Sequence, residues 1–544
     1  MQRVHLGLSS AIVFCASAAW FAFFIPWNGF LDPDVFYHAT IARLLAMRGP
    51  IREFPWLDLT LLGTSYADLH FGFHLLLIPF VKVFGLLHGA RIAAVCFAAG
   101  AITAFYATLG WLRMRLSVAW VVLLLVSQPF VLRLLLGKAT PLAIALFLVG
   151  LAAAALRRPM FVALIAAAYA LSHGGWVILA GSVAILACGD ILFSRIVENA
   201  SWREAVRNSS WREAVAACAG GGIGLLLHPN FPAVFRFAWA QVFIIGIGTP
   251  FQRVNLGNEW LPSDPTWLII SMAPWIIAML LGCAGLVFAV RPLPHPSRLP
   301  YLPRLVTSLG LIVAVLLALT LKSRRMIEFL IPATALWCAA IWSLVDVRKL
   351  FTAFAKPARA LLVVCIVLVC AKQIVTIWTE FHPPRYRDIA YAETMNAITL
   401  RATPGDRVFH SSWDEFPILF LRDDRLRYIS GLDPTFLAIA SSTLSDRVRE
   451  ITCPECRNIF TNRKTSPIAT STWQTMAWHL IHDELGSRFI FVSKANHATM
   501  LGLVKSDPRY EQIFDGTDSS AFEISTTPPP SVKKEGAGGG SLFQ

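Results

Sequence analysis

The sequence predicts a polytopic α-helical membrane protein carrying one α/β domain at its C-terminal end. Three observations predict it. Hydrophobic residues make up 56% of the 544-residue chain and charged residues only 15%, against about 25% charged in an ordinary soluble domain. The apolar residues fall in long runs, and about 20 such residues cross a bilayer. Short strand-like and helix-like segments alternate only after residue 380. The net charge of +14 does not indicate nucleic acid. The basic residues stand in short clusters between apolar runs: Arg113/Arg115, Arg157/Arg158, Arg203/Arg207/Arg212, Arg298/Arg304 and Arg348/Lys349/Lys356/Arg359. Cytoplasmic loops have this character.

Apolar runs cover residues 6–30, 90–112, 117–136, 140–156, 159–172, 174–194, 214–228, 266–290, 305–321, 326–346 and 359–379. With short runs accepted, they predict about 11–13 transmembrane helices in a domain of residues 1–379. The first run, with Arg3 and Ala16-Ser17-Ala18, could be mistaken for a signal peptide. It continues to Phe30 and is read as an uncleaved span. A cytoplasmic N-terminus puts every basic cluster inside. It places loops 31–88 and 228–265 and the C-terminal domain outside, which in a bacterial inner membrane is the periplasm. The stretch Phe71–Leu87 is short and holds His74, Pro79 and Lys82, and is read as a helix in the outer leaflet. A direct repeat, Ser201-Trp-Arg-Glu-Ala-Val206 and Ser210-Trp-Arg-Glu-Ala-Val215, predicts a basic amphipathic surface helix on the inner leaflet.

Residues 380–525 form the α/β domain, with strands at Arg407–His410, Phe489–Ser493 and Ala521–Ile524 and helices at Tyr391–Leu400 and Trp473–Leu485. Eight of the ten cysteines lie in apolar segments; Cys453 and Cys456 form a CxxC read as a local disulfide. The tail 526–544 is rich in Pro, Lys and Gly and reads as disordered, ending in a linker and protease-site remnant.

Four polar features fall on the outer side. Asp32 and Asp34 emerge from the first span beside Tyr37 and His38, and charges held at a membrane boundary are functional candidates. The loop from His228 to Pro262 carries Glu259. Lys322-Ser-Arg324-Arg325 breaks the positive-inside pattern and calls for an anionic partner, for which a lipid-linked phosphate suits the guanidinium fork; a headgroup anchor is the alternative. Ser412-Trp413-Asp414-Glu415 lies in the C-terminal domain. A carboxylate near such a phosphate can serve as general base, or bind a divalent cation that neutralises the departing phosphate. His70 and His74, near Asp68, could form a zinc pair, but read more readily as lining of the outer cavity.

The segment Leu31-Asp-Pro-Asp-Val-Phe-Tyr-His38 through Gly49 resembles the first outer loop of the GT-C superfamily of integral-membrane glycosyltransferases, above all the oligosaccharyltransferase catalytic subunits. Asn258-Glu259-Trp260-Leu-Pro262 is similar to their loop-glutamate motif. Arg324/Arg325 match their phosphate-facing arginine, and Ser412-Trp413-Asp414 is similar to their Trp-Trp-Asp motif. The resemblance implies a periplasmic, inverting transfer from a polyprenyl-linked sugar to a glycan, lipid or protein acceptor. It implies Asp34, Asp32 and Glu259 as catalytic residues. His38, Tyr37, Arg324, Arg325, Lys138, His228, Trp413 and Asp414 become substrate contacts. A divalent cation, Mg or Mn, on Asp32, Asp34 and Glu259 belongs to the same pattern. Two departures stand out. The loop Val131–Thr140 has Arg133 and Lys138 where oligosaccharyltransferases carry further acidic ligands, and Ser412 replaces the first Trp. Both favour a lipid-monophosphate sugar donor and metal-independent catalysis. An oligosaccharyltransferase or glycan ligase using a lipid diphosphate is the second reading. A transporter or flippase of lipid-linked glycans is the third; its polar residues would gather at mid-membrane, whereas here the spans are nearly free of charge.

Overall fold

A computed structural model describes residues 2–247, 257, 259–288, 301–454, 469–495 and 497–525. Arg298, Cys456 and the tail from residue 526 lie outside the described residues. The chain divides into two units, Met1–Phe54 with Leu62–Asp388 and Pro55–Leu61 with Ile389–Gln544.

In the first unit every apolar run forms helix, but the runs are not equal. Among the described residues seven helices are long and apolar enough to cross a membrane: Gly7–Phe24, Leu86–Trp111, Trp176–Ile196, Pro265–Phe288, Leu302–Lys322, Arg324–Leu344 and Lys356–Phe381. This is a multi-pass membrane protein. The run 117–136 is two helices, Ser117–Leu125 and Gln128–Leu134, bent by 77° and counting together as an eighth span. Ser127 is extended at the break, and Pro129, which has no N–H to give, sits in the first turn that follows.

By length and composition alone, seven or eight helices among the described residues pass as spans, and further apolar helices are shorter. The helices Thr140–Ala155, Pro159–Ser172 and Trp211–Leu226 have 16, 14 and 16 residues. At 1.5 Å per residue they extend about 21–24 Å, and they join Arg157 and Ser210 at one end of the unit to Lys138, His173 and His228 at the other. They are held by close packing: Gly220 and Gly224 lie against the backbone of Ala163 and Ala167, where a Cβ would collide. The stretch after the outer loop is also helical, over Phe71–Phe84.

The chain reverses at each loop, so polar groups gather at two opposite ends of the unit. At one end Arg157 pairs with Asp190 at 2.9 Å, Ser210 Oγ donates to Asp190 at 2.6 Å, and Arg304 binds Glu198. The two Ser-Trp-Arg-Glu-Ala-Val copies part ways here. Ser201 and Glu204 form a reciprocal capping box on the short helix Trp202–Arg207. Ser210 instead turns to Asp190, and its copy opens the buried-faced helix Trp211–Leu226. The other end begins with a two-stranded antiparallel ribbon, β1 (Gly29–Phe30) and β2 (Tyr386–Arg387). Arg91 clamps the ribbon, stacking on Phe30 at 4.5 Å and pairing with Asp388.

The second unit holds a mixed five-stranded sheet, in the order β4-β3-β5-β7-β6: β3 (Arg407–His410), β4 (Arg427–Tyr428), β5 (Ser487–Ser493), β6 (Tyr510–Asp515) and β7 (Ser519–Ile524). The β3–β4 and β3–β5 pairs are parallel; β5–β7 and β6–β7 are antiparallel. Phe409, Ile490, Val492 and Phe522 pack with Trp473 and Met500 in its core. Cys453 is disulfide-bonded.

Candidate functional site

The acidic turn is built by its own sequence. Asp32 Oδ1 accepts the Asp34 backbone N–H at 2.9 Å, and Pro33 follows the first helix, α1 (Gln2–Phe24), and stands directly before helix α2 (Asp34–Arg48). Asp34 is thus in the first turn of α2, where the helix dipole favours a carboxylate. Both acids meet one cation: Lys138 Nζ lies 2.9 Å from Asp32 Oδ2 and 2.8 Å from Asp34 Oδ2. The preceding residue makes this approach possible. Gly137 has φ +70°, and a Cβ there would run into Val35 of α2.

A second group of charges joins the first. The turn at Glu259–Leu261 is tied to the start of the Arg324–Leu344 span by backbone bonds, Arg325 N–H to Glu259 O at 2.9 Å and Arg324 N–H to Leu261 O at 3.0 Å. Ser323 Oγ also donates to Glu259 O at 3.1 Å. This zipper brings the Glu259 carboxylate within 3.3 Å of Arg325 Nη1, whose guanidinium stacks on Trp260 at 5.1 Å. Arg133 bridges inward. Its Nη1 donates to Glu259 Oε2 at 2.7 Å, while Nε and Nη2 both donate to Glu328 Oε2, at 2.9 and 2.6 Å. Arg324 points elsewhere and stacks on Trp267 at 5.6 Å. Two arginines adjacent in sequence therefore have different jobs, and only Arg325 joins the acids.

Beside the acids lies a buried chain of imidazoles. His38, one turn beyond Asp34 on α2, has Nδ1 2.7 Å from His74 Nε2; His74 Nδ1 is 2.7 Å from Asp68 Oδ2. His70 packs edge-on against both His38 and His173. His228 Nε2 bonds the Asp68 carbonyl at 2.9 Å, and Asn230 donates to Ile51 O. Tyr37 packs over His74 with ring centroids 6.0 Å apart. His38 and His228 are thus buried and engaged with protein partners.

Burial sets the protonation of these groups. It pushes Asp32 up to about 6, aided by Asp34 and Glu259 and opposed by Lys138. Burial acts the same way on Glu259, but Lys138, Arg325 and Arg133 outweigh it and hold that carboxyl well below its usual range. Burial holds His38 and His70 well below the ordinary imidazole value, with neighbouring histidines adding to the effect.

The residues do not fit the divalent cation expected on Asp32, Asp34 and Glu259. The point the two aspartates share is taken by the Lys138 ammonium, and Glu259 is bound to two guanidinium groups. A second cation there would meet like charge at contact distance. Among the described residues no group of three or more His, Cys, Asp or Glu side chains is arranged to hold a metal ion.

In the second unit, Ser412-Trp413-Asp414-Glu415 forms a single turn closed by its own side chains. Ser411 Oγ donates to Glu415 Oε1 at 2.5 Å and the Ser412 N–H to Oε2 at 2.9 Å. Ser412 Oγ donates to Asp414, whose carboxyl is raised by burial.

Arg133 and Glu328 are the site members that motif reading did not select. Their signal was present: each is a charge inside or beside an apolar run, where an ionisable residue needs a partner.

No protein-family model matches the sequence, and no curated protein matches it. Solved structures do share its fold. The archaeal oligosaccharyltransferase AglB from Archaeoglobus fulgidus, solved with an inhibitory peptide and a dolichol-phosphate, superposes with TM-score 0.59 at 12% identity, over 96% of this chain and 75% of that one. ArnT from Cupriavidus metallidurans gives 0.50 at 14%, over 95% and 98%. The mycobacterial arabinofuranosyltransferase AftD gives 0.52 at 13%, over 97% and 40%. These are GT-C superfamily membrane proteins, and this chain has the GT-C fold.

Proposed function

We propose that this protein is an inverting glycosyltransferase that moves a sugar from a polyprenyl-phosphate donor to a cell-envelope acceptor, on the periplasmic face of a bacterial inner membrane. The observation that carries the reading is the pairing of Asp32 and Asp34 with Lys138 at the mouth of the first span, beside Glu259 on the facing loop and Arg325 at the start of a later span, within a GT-C fold.

The chemistry follows from those groups. Asp32 uses both oxygens, one on the Asp34 N–H and one on Lys138. Asp34 places one oxygen on Lys138 and offers the other to an acceptor hydroxyl or amine. As the acceptor attacks the anomeric carbon, its proton passes to Asp34. The bond from that carbon to the phosphate oxygen breaks, and its electron pair leaves on the polyprenyl phosphate. Attack opposite the leaving group inverts the anomeric centre. The Lys138 ammonium and the Arg325 guanidinium offset the charge growing on phosphate, typically the largest single contribution in such sites. The outer-face histidines shape the floor behind Asp34. The dolichol-phosphate with which AglB was solved supports a lipid carrier. Mass spectrometry of lipid-linked sugars and envelope glycans in a deletion strain tests the reading: one sugar–polyprenyl species should accumulate while one envelope decoration disappears. Unchanged profiles of both would overturn it.

A further inference from the structure

We propose that Lys138 is a covalently attached substitute for a divalent cation, so that this enzyme needs no metal and gains a metal site only when Lys138 is lost. Three observations carry this. The ammonium sits at the one point shared by both carboxylates, 2.9 and 2.8 Å from their oxygens. The remaining acid, Glu259, has its two oxygens on two different guanidiniums, Arg133 and Arg325. And Lys138 is delivered by a backbone device, the left-handed Gly137 packed against Val35, so its placement is built rather than incidental.

An ammonium has three N–H donors; bridging two carboxylates leaves capacity for one phosphate oxygen. It therefore supplies two of the services of a metal, holding the acids together and facing the leaving group with positive charge. A third service, a readily exchanged coordination shell, is missing, so the donor must bind to a fixed charge. A single positive charge also suits a phosphate monoester better than a diphosphate. The inference rests on the glycosyl-transfer reading only for what the ammonium faces. The metal prediction stands on the carboxylate geometry alone.

The test uses the full-length protein in detergent with Mn²⁺ as probe, read by electron paramagnetic resonance and by metal content after desalting. Wild type should retain no stoichiometric Mn²⁺, and its transfer rate should be unchanged by EDTA. Lys138→Met, of similar volume, should retain one Mn²⁺ per chain, and Lys138→Met/Asp34→Asn should lose it. Transfer by Lys138→Met should fall about 10²–10³-fold, the range for loss of one charge-stabilising donor, and recover in part with Mn²⁺. A stoichiometric Mn²⁺ in wild type that Asp32→Asn abolishes would overturn the proposal, as would EDTA inactivation reversed by Mn²⁺. A folded Lys138→Met that binds no Mn²⁺ would overturn it too. The wild-type measurements decide even if that variant does not fold, and the binding arm decides even if no transfer is ever detected.

Discussion

Arg133 touches two acids at once, and its removal measures what holds the site to the membrane helices. Glu328 is 1% exposed and takes two hydrogen bonds from Arg133, both on Oε2. The other guanidinium nearby, Arg325, stands 3.9 Å from its Oε1. Arg133→Met leaves Glu328 buried without a close partner, and breaking one side of a buried pair costs about 3–5 kcal/mol. Glu259 contributes less to that loss, because it is a quarter exposed and keeps Arg325. Replacing the orphaned charge as well, in Arg133→Met/Glu328→Gln, should bring the loss down to about 1–2 kcal/mol, since a buried neutral amide lacking one hydrogen bond costs about 1–3 kcal/mol. Unfolding in mixed detergent–SDS micelles compares wild type, the single variant and the double variant. Equal destabilisation of the two variants would refute the reasoning, because the cost would then lie in lost packing and not in an unpaired buried charge.

Arg325→Lys should weaken transfer nearly as much as Arg325→Ala, by about 10–100-fold for loss of charged hydrogen bonds of about 1.5–3 kcal/mol, whereas Arg324→Lys should be tolerated; donor binding and turnover of the three variants check this. Asp32, with its pKa raised to about 6, is protonated below that pH and ionised above it, and only the ionised form holds Lys138. Transfer should therefore rise through about pH 6, and pH profiles should show that limb lost in Asp32→Asn. The limb does not come from His38 or His70, whose values lie well below 6.5. Gly137→Ala should lower turnover while leaving the fold intact, because a Cβ strains the left-handed turn that carries Lys138 and pushes on Val35; thermal stability and transfer rate separate the two effects. Cysteines placed at the exposed positions Gly63 and Leu400 should react with an impermeant maleimide in intact cells, and one at Arg207 only after permeabilisation.

The legibility of this molecule in its sequence varies with the range of the interaction. Helix content was plain, because each apolar run states its own hydrogen-bonding needs in lipid. The exact number of spans was less plain, since runs of 14–16 apolar residues fall below the length that marks a span by itself. Strands β3, β5 and β7 were visible as apolar or β-branched runs. Two-residue β4 and the polar β6, Tyr-Glu-Gln-Ile-Phe-Asp, were not, because their place depends on neighbours that pair with them.

The acidic turn was legible for a local reason: Asp-Pro-Asp closing an apolar run defines a helix start and a membrane boundary together. What the acids face was not local. Lys138 lies about a hundred residues away; the resemblance marks it only as a substrate contact, and the structure pairs it with both aspartates. The same displacement explains Arg324 and Arg325. Sequence gives two equivalent guanidiniums; the backbone zipper from Glu259–Leu261 to Ser323–Arg325 breaks the equivalence by aiming one at Glu259 and the other at Trp267. Basic residues in a loop that should carry acids, Arg133 and Lys138 here, are thus better read as counter-ions to acids elsewhere than as missing ligands. Desolvated carboxylates require a cation, and when the chain supplies one from its own side chains the demand for a metal falls.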